Sequence, residues 1–421
     1  MDIKTVVLAA GKGTRMKSET PKVLHKIFDK TLLGYVLDSV KFASEAFVIV
    51  GHKAQEVTEY VNKNYSFAKT VLQTPQLGTG HAVSMVCPEL EDFDGVVLIM
   101  NGDIPLVREK SIKKFVDEHI ASGADLTLMS TIIENPATYG RIIRSANGSL
   151  EKIVEDKDTN EVQKAVKEIN VGIYCLNWQK IKPAFCQLSP SNAQGEYYLT
   201  DIVEWANNQG FSVQASILED SDEIYGINSR ENLAEAIKIM NDRKLHELMV
   251  SGVTIVDPAS TWISQDTEIG EDTIVFPGTY IEGTNNKIGK RCKIGPFAHL
   301  RGDVEIADDV KIGNFVEVKK SKIGTLTNAC HLSYIGDSEF GSNINIGAGT
   351  ITANFNPLTR VKSKTVLKDN VKIGSNTVLV APVTVEEGAN VGAGSVITKN
   401  VPARALALTR GVLKVIEKWV K

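Results

Sequence analysis

The sequence predicts two domains of different classes, an α/β domain with a Rossmann-like, mainly parallel sheet and a left-handed parallel β-helix. Over residues 1–226, short β-rich runs alternate with segments of helical spacing. Residues 227–250 contain a helical pattern without Pro or Gly and are interpreted as a linker helix. Over residues 251–421, aliphatic residues recur every six positions, which is typical of a triangular coil, and hexapeptide repeats adopt the left-handed type.

The composition indicates a globular protein without a membrane segment or a nucleic-acid partner. Of the 421 residues, 43% are hydrophobic and 23% are charged, and the formal net charge is −4. This balance gives no general attraction to nucleic acid or to an anionic membrane. No uninterrupted apolar run nears the roughly 20 residues of a membrane span. The five cysteines are scattered and lack CxxC spacing, which is typical of reduced thiols in a cytoplasmic protein.

The strands and helices of the first domain are predicted in three successive pairs. The run "TVVLAA" precedes "TLLGYVLDSVKFAS", "AFVIVG" precedes "AQEVTEYVNKN", and "GVVLIMNGD" precedes "KSIKKFVDEHIAS". Ligands of such sheets bind beyond the carboxyl ends of the strands. The loops after "TVVLAA" and "VVLIM" are therefore the predicted site.

The repeat of the second domain falls into three runs of aliphatic residues, each expected to point into the coil. Their members are Ile263, Ile269, Val275, Ile281, then Ile288, Ile294, Leu300, Ile306, Ile312, Val318, then Leu367, Ile373, Leu379, Val385, Val391 and Ile397. The rhythm slips between Val318 and Ile323, near Ile346 and across 353–365, where loops are expected to leave the coil. The terminal "RGVLKVIEKWVK" predicts a helical tail.

The first loop, "LAAGKGTRMKSETPKVLH", is suited to binding phosphates. Gly11 and Gly13 let backbone N–H groups approach an anion, and Arg15 and Lys22 add positive charge. The loop is neither a Walker loop nor GxGxxG, so a tight glycine turn with solvated cations is the alternative. Asp103, at the end of an apolar strand, is either a metal ligand or a turn residue.

His331 interrupts the repeat in "ACHLSYIGD", with Tyr334 three residues later. It is either a packed or surface histidine or a general base. Cys330 beside it suggests an acyl-cysteine mechanism. Adjacent side chains of a coil tend to point to opposite sides, however, and a thiolate needs the histidine within reach, so the thiol is the weaker hypothesis.

These motifs carry a resemblance to a known family. "LAAGKGTRM…PKVLH" resembles the signature of sugar-1-phosphate nucleotidyltransferases. Joined to a hexapeptide β-helix, the chain resembles over nearly its whole length the bacterial N-acetylglucosamine-1-phosphate uridylyltransferase / glucosamine-1-phosphate N-acetyltransferase family. The resemblance implies a bifunctional cytoplasmic homotrimer that uses UTP, acetyl-CoA and Mg²⁺ to make UDP-N-acetylglucosamine for cell-wall and lipopolysaccharide precursors.

The resemblance also implies a uridylyltransferase site in the first domain. The UTP phosphates and the catalytic cations are matched by Leu8, Ala9, Ala10, Gly11, Arg15 and Lys22. The uracil-binding loop is matched by Gln73, Gly78 and Thr79. The magnesium site is matched by Asn101, Gly102 and Asp103 at a strand end, with Asn228 as the second ligand. The surroundings of the N-acetylglucosamine moiety are matched by Gly140, Glu155 and Asn170.

An acetyltransferase site in the second domain is implied in the same way, with His331 as the catalytic base. The residues that match contacts to glucosamine-1-phosphate are Arg301, Lys319, Tyr334 and Asn345. The residues that match the acetyl-CoA surface are Ala348, Asn354, Phe355, Ser375, Ala393 and Arg410. Compared with the family, the coil before Arg301 is about two turns shorter. The loop "ANFNPLTRVKSKT" is longer, and nothing after Arg410 matches.

Two other classes of function are compatible with parts of the pattern. A single-function sugar-1-phosphate nucleotidyltransferase would carry the β-helix as a structural or regulatory domain, but such a coil would not need the polar cluster around His331. A non-catalytic sugar-nucleotide sensor would not need both Asp103 and Asn228. The sequence therefore favours the bifunctional enzyme.

Overall fold

A computed structural model describes residues 1–136, 138–411, 413–417 and 419 of the chain. They divide into two compact units, residues 1–237 and 238–421. The helix Arg230–Val250 crosses this division, where the sequence predicted a linker helix. The domain bounds at 226 and 251 stay a prediction.

The first unit is built on a sheet in which one strand runs against the others. The strands lie in the order Val213–Ile217, Leu126–Ile132, Glu168–Asn177, Val96–Asn101, Ile3–Ala9, Glu45–Val50 and Ala68–Leu72. Glu168–Asn177 is antiparallel to both of its neighbours, and the other neighbouring strands are parallel. A ribbon of Arg141–Arg144 and Leu150–Val154 attaches to Glu168–Asn177. The predicted mainly parallel sheet is confirmed, and the antiparallel strand was not predicted.

Helices cover both faces of this sheet. They are Leu32–Ser39, Ala54–Asn64, Thr79–Ser84, Glu109–Ser122, Glu161–Lys164, Trp178–Ile181 and Asp201–Asn208. One apolar core includes Leu33, Val57 and Phe115, and the other includes Phe47 and Trp178. The three predicted strand–helix pairs are present, and their loops open at the carboxyl ends of the strands.

The second unit is a parallel β-helix whose short strands form three faces. The first face contains Thr254–Ile255, Ile274–Val275, Lys293–Ile294, Lys311–Asn314, Asn328–His331, Asn345–Ile346, Lys372–Ile373, Asn390–Val391 and Leu406–Ala407. The second contains Trp262–Ile263, Tyr280–Glu282, His299–Arg301, Glu317–Lys319, Tyr334–Gly336, Ile351–Ala353, Val378–Val380 and Val396–Ile397. The third contains Glu268–Ile269, Lys287–Ile288, Glu305–Ile306, Lys322–Ile323, Ser338–Phe340, Thr365–Leu367 and Val383–Val385.

The six-residue period is confirmed by burial, since all the predicted inward aliphatic residues lie in one continuous core. Corners between faces use left-handed backbone conformations, including the bulky residues Phe297, Phe315 and Leu332 at φ 54°, 56° and 45°. Left-handed φ is rare for such residues, so the repeat geometry imposes it. The predicted loop lies between the strands Ile351–Ala353 and Thr365–Leu367.

The C-terminal segment differs from the helical expectation where it is described. Residues 412, 418, 420 and 421 lie outside the described residues, and the described residues around them form no helix. Leu413 is 85% exposed and Trp419 is 79% exposed, so their apolar side chains lack the packing that normally stabilises a short helix. Among the described residues, no helix combines the length and apolar character needed to cross a bilayer.

Candidate active sites

The two loops predicted to form the first site meet because their strands are in register. Leu8 pairs with Asn101 at the carboxyl ends of the two parallel strands. The Gly102 backbone N–H donates to the Leu8 carbonyl at 2.9 Å, which fixes the chain just before Asp103. The phosphate loop and the carboxylate therefore lie side by side, although about 90 residues separate them in sequence.

A glycine in this loop makes room for the Lys22 side chain. Gly13 has φ 58°, and a Cβ there would lie only 2.7 Å from Lys22 Cβ. The short 3₁₀ turn Lys22–Leu24 follows Pro21 and buries Val23, which anchors the start of the lysine side chain. Any larger residue at position 13 would strain the turn and push Lys22 away.

The Lys22 ammonium joins the two predicted magnesium ligands. Its Nζ donates to Asp103 Oδ2 at 2.5 Å and to Asn228 Oδ1 at 3.0 Å. Asn228 reaches this point because the Ile227 backbone N–H donates to the Asp103 carbonyl at 3.0 Å. One carboxylate oxygen and one amide oxygen thus converge on a single positive charge.

This pair of oxygens fits the ion that the family implies. Mg²⁺ prefers a few hard oxygen ligands and keeps several of its waters, so one carboxylate and one amide are a sufficient protein contribution. Within the described part of the chain, no group of three or more His, Cys, Asp or Glu side chains is placed to hold a metal. The donor set therefore suits Mg²⁺ and not a zinc-type site.

The predicted uracil-binding loop forms one wall of a cavity of about 450 Å³. Gln73 Nε2 donates to the Gly78 carbonyl at 3.0 Å, and Thr79 Oγ1 accepts from the Leu199 backbone N–H at 3.0 Å. Gly78 has φ 115°, and a Cβ there would lie 2.6 Å from the Tyr197 carbonyl oxygen, so the loop requires glycine. The polar edge of Gln73 is thereby held against the cavity.

A second cavity of about 770 Å³ lies next to the first and also borders Asp103. Glu155 lines it and accepts a hydrogen bond from Thr200 Oγ1 at 3.1 Å. Burial raises the pKa of Glu155, and the neighbouring Asp201 adds to that effect. Asn170 Nδ2 donates to the Tyr174 hydroxyl at 2.8 Å, which orients the Asn170 amide at the cavity wall.

The structure brings the predicted residues of the first site together, with Gly102 contributing backbone only. The first cavity is lined by Leu8, Ala9, Ala10, Gly11, Lys22, Gln73, Gly78, Thr79, Asn101 and Asp103. The second adds Arg15, Gly140, Glu155, Asn170 and Asn228. Lining residues that the sequence analysis missed include Lys12, Gln76, Glu196, Tyr139 and Thr200. Lys12 lies in the predicted phosphate-binding loop and Gln76 lies between Gln73 and Gly78 of the predicted uracil-binding loop, whereas nothing in the sequence marked Glu196 or Thr200.

Three of the four predicted sugar-phosphate residues, Arg301, Lys319 and Tyr334, lie on successive strands of the second β-helix face. Glu317 pairs with Tyr334 in register, and Lys319 lies on the strand next to Arg301. Arg301 Nη1 donates to Glu317 Oε1 at 2.8 Å, and Arg301 Nε lies 3.3 Å from Glu282 Oε1. The Glu317 hydrogen bond raises the pKa of Arg301, and the two carboxylates hold its guanidinium in place.

His331 ends a strand of the first face, at the corner that leads to the second. It pairs with Asn314 on the preceding turn, and its Nδ1 lies 3.3 Å from Asn314 Oδ1. Because an amide oxygen only accepts, this contact favours a proton on Nδ1 and leaves Nε2 as the basic nitrogen. The sequence analysis did not single out Asn314.

Most of the predicted acetyl-CoA residues lie on the same corner and stack above one another on successive turns of the coil, an arrangement called the corner ladder below. The Asn376 backbone N–H donates to the Ala348 carbonyl at 2.7 Å, and the Gly394 backbone N–H donates to the Ser375 carbonyl at 2.7 Å. Arg410 Nη1 donates to the Ala393 carbonyl at 2.6 Å. Continuing the strand register that pairs Ala329 with Ile346 places Ala348 on the turn after His331.

Three predicted residues lie away from this ladder. Asn354 is buried, and its Nδ2 donates to Asp337 and lies 3.4 Å from the Tyr334 hydroxyl. Phe355 is exposed at the base of the long loop, where it bridges to Lys362. Asn345 is exposed on the first face, beside Asn328.

In comparisons with known proteins, different family models match the two parts of the chain. A nucleotidyl transferase family model matches residues 4–247, and a bacterial transferase hexapeptide model matches 287–320 and 364–399. The bifunctional protein GlmU of Geobacillus sp. (strain WCH70) is 43% identical, covering 96% of this chain and 95% of that protein. The proteins of the same name from Acetivibrio thermocellus and Clostridioides difficile are 42% and 41% identical, covering 99% and 100% of this chain and 97% and 98% of theirs.

The fold and both sites therefore define a nucleotidyltransferase joined to a hexapeptide-repeat transferase. The chain belongs to the bifunctional GlmU family. The alignments span 439 to 455 positions, more than the 421 residues of this chain, so these relatives contain residues that it lacks. The shorter coil before Arg301 stays a prediction.

Proposed function

We propose how the residues of the two units divide the work of this bifunctional enzyme. The chain is a nucleotidyltransferase and an acetyltransferase of UDP-N-acetylglucosamine synthesis. It acetylates glucosamine-1-phosphate with acetyl-CoA and then transfers UMP from UTP to N-acetylglucosamine-1-phosphate, releasing pyrophosphate. The convergence of Lys22, Asp103 and Asn228 supports the second step, and the position of His331 supports the first.

Uridylyl transfer needs positioning and charge neutralisation more than proton transfer. A phosphate oxygen of N-acetylglucosamine-1-phosphate attacks the α-phosphorus of UTP and is already anionic near pH 7, so no protein base is required. The backbone at Gly11 receives the phosphates, and Arg15 and Lys22 offset their charge. Asp103 and Asn228 would hold Mg²⁺, which supplies further charge neutralisation when bound.

The proposed binding of the two reactants on either side of Asp103 is supported by two neighbouring cavities that both border this residue. The Gln73 Nε2 is held by the Gly78 carbonyl and His81 Nδ1, which leaves its Oε1 as an acceptor for the uracil edge in the first cavity. Glu155 and Asn170 present a carboxylate and an amide to the sugar hydroxyl and acetamido groups in the second. The nucleotide and the sugar phosphate would therefore meet where both cavities reach Asp103.

Acetyl transfer requires a base because the amine must be neutral to attack the thioester. His331 Nε2 accepts the proton that the tetrahedral intermediate loses, and the Asn314 contact favours the neutral tautomer in which Nε2 carries the free lone pair. Arg301 and Lys319 bind the sugar phosphate. Asn354 is committed to Asp337 and Tyr334, and the Gly347 backbone N–H donates to the Ile373 carbonyl at 2.9 Å, so the backbone N–H groups of Ala348 and Gly349 are the proposed oxyanion donors.

We also propose that the enzyme works as a cytoplasmic homotrimer. The residues of the acetyltransferase site are spread over two faces and a corner of one coil, so a neighbouring copy is needed to enclose the substrates. On the same corner Phe297 and Phe315 stack with ring centres 5.3 Å apart and are 54% and 56% exposed, which suits a subunit interface. The five free cysteines fit a reducing compartment. A monomer with full acetyltransferase activity, measured by light scattering and assay at one concentration, would disprove the trimer.

The proposal that His331 is the base of the acetyltransferase rests on its position on the corner, one turn before the predicted acetyl-CoA residues. The test is release of thiol from acetyl-CoA in the presence of glucosamine-1-phosphate and without UTP. Replacing His331 with Ala should lower this rate by about 10²–10⁴-fold. His246 is a matched control because it is an exposed histidine on the helix Arg230–Val250, and His246→Ala should retain the activity. Wild-type protein that transfers UMP but releases no thiol would indicate a single-function nucleotidyltransferase.

A further inference from the structure

The Lys22 ammonium lies where the proposed metal ion would bind. It contacts Asp103 Oδ2 at 2.5 Å and Asn228 Oδ1 at 3.0 Å, and these are the two oxygens assigned to Mg²⁺. A bound Mg²⁺ would lie about 2.0–2.1 Å from each oxygen. A lysine nitrogen and a metal ion cannot both fill the space between the same two oxygens, so binding of one requires the other to leave.

The Lys22 side chain has a fixed base and an alternative destination for its charged end. Its Cβ is held against Gly13 and its backbone is held by the turn Lys22–Leu24. The rest of the side chain is a flexible four-carbon stem. Lys22 also lines the first cavity together with Ala10 and Gly11, which belong to the proposed phosphate-binding loop. Rotation of the side chain can therefore move the ammonium from the carboxylate to the triphosphate.

We propose that Lys22 is an internal counter-cation that occupies the metal site until the metal displaces it toward the nucleotide. This proposal rests on the proposed function, because the metal ligands are assigned there. The displaced ammonium gains a phosphate partner, so metal binding strengthens nucleotide binding. Thermodynamic linkage requires that the nucleotide strengthen metal binding by the same factor. Lys22 thus couples the two ligands through one movable charge.

The electrostatics predict an unusual effect of removing this lysine. The Asp103 side chain is only 19% exposed, so loss of its partner leaves a poorly solvated carboxylate. A metal ion that no longer has to displace an ammonium should then bind more tightly. If Lys22 bound only phosphate, its removal would weaken nucleotide binding and leave the affinity for metal alone unchanged.

The experiment measures binding of Mn²⁺, used as a paramagnetic substitute for Mg²⁺, by electron paramagnetic resonance without nucleotide. In the full chain, Lys22→Met should bind Mn²⁺ about 10- to 100-fold more tightly than wild type, since a charge-assisted hydrogen bond no longer competes. Lys22→Arg should retain the weak wild-type affinity. Arg15→Met is the matched control, because Arg15 lines the neighbouring cavity and its removal deletes the same charge without vacating the metal site.

The outcomes separate this proposal from the metal assignment. Unchanged or weaker Mn²⁺ binding by Lys22→Met, with binding lost in Asp103→Asn, would overturn the counter-cation role and keep the metal site. Unchanged binding by Asp103→Asn would overturn the metal site itself. Equal tightening by Arg15→Met would show a general charge effect and also overturn the proposal. If Lys22→Met fails to fold, Lys22→Gln provides the same neutralisation with a polar side chain. In either neutral variant, Mn²⁺ should increase the affinity for UTP less than it does in wild type, because the contribution of the displaced ammonium is lost.

Discussion

The two active sites are assembled in opposite ways. In the first unit, residues from distant parts of the chain line two adjoining cavities. They include Leu8, Gln73, Asp103, Glu155 and Asn228. In the second unit, the proposed residues follow the turns of the coil and lie along its outer surface. A sheet with crossover helices gathers loops at one edge, whereas a coil repeats each position one turn further on.

This difference affects how completely a single chain encloses each site. The first site has walls on several sides, and Lys22 and Asp103 form an ion pair within it. The second site is a convex corner on which His331 and Arg410 are exposed. Water exclusion strengthens electrostatic catalysis, so the proposed enclosure by a neighbouring copy would matter more for the second site than for the first. Loss of a single residue should therefore affect one reaction and spare the other.

The largest expected effect tests whether the two sites are independent. Asp103→Ala removes the carboxylate from the proposed metal site and leaves Lys22 without its closest partner. UDP-N-acetylglucosamine formation should fall by at least about 10²–10³-fold, the usual loss when a group that stabilises charge in the transition state is deleted. Pyrophosphate release measures this step.

The same protein provides the control for Asp103→Ala. Its acetyl transfer, measured by thiol release, should stay at the wild-type rate because no proposed acetyltransferase residue lies in the first unit. Normal uridylyl transfer would contradict the role of Asp103. Loss of both reactions would instead indicate that the two sites are not independent.

A smaller effect is expected at the exposed site, where Asn314 positions His331. Asn314→Ala removes the acceptor for His331 Nδ1, so the imidazole loses its preferred tautomer and orientation. Acetyl transfer should fall by about tenfold, less than the roughly 10²–10⁴-fold contribution of the base itself. The loss should appear in kcat, with little change in the KM for acetyl-CoA.

Two further variants identify this as a positioning effect. Asn314→Asp restores an acceptor and should recover most of the rate, with the pH profile moved upward because a carboxylate stabilises the imidazolium. Asn328→Ala is the matched control, since Asn328 is on the same strand as His331 and its side-chain Nδ2 donates to the Leu326 carbonyl at 3.4 Å. Equal losses in Asn314→Ala and Asn328→Ala would indicate a general disturbance of the coil.

The sequence predicted the second unit's fold more completely than the contacts of its site. A six-residue period specifies which residues face inward, so positions such as Ile281 and Leu379 were predictable one by one. The contact between Asn314 and His331 depends on which residues stack on successive turns, and the slips in the repeat obscure that register. In the first unit, the motifs predicted most of the cavity. Glu196 and Thr200 were missed because tertiary folding alone brings them there.

The next expected effect is on folding stability and concerns the first unit, near the cavity that is proposed to bind the sugar. Burial raises the pKa of Asp201 to about 6, and Glu204 and Asp158 add to the shift by repulsion. The folded chain then binds a proton more tightly than the unfolded chain, so ionisation of Asp201 destabilises the fold as the pH rises. Asp201→Asn removes this cost and should stabilise the unit at pH 7.5 by about 1–2 kcal/mol, after discounting for solvent screening.

Calorimetry at two pH values checks the sign of this effect. The gain from Asp201→Asn should be largest above pH 6, where Asp201 would be charged in both states. It should shrink at pH 5, where the folded form is mostly protonated and the unfolded form is not. A gain that is the same at both pH values would show that the side-chain shape and not the charge is responsible.

The smallest expected effect concerns Cys330, which adjoins His331 on the corner of the coil. Cys330→Ala should change acetyl transfer by no more than about twofold, because direct attack by the amine needs no acyl-enzyme. Thiol release and a search for an acetylated cysteine after quenching measure this together. Near-complete loss in Cys330→Ala, with a trapped thioester in wild type, would make the thiol the nucleophile and His331 its activating base. Since His331→Ala would abolish activity under either mechanism, only the cysteine variant distinguishes them.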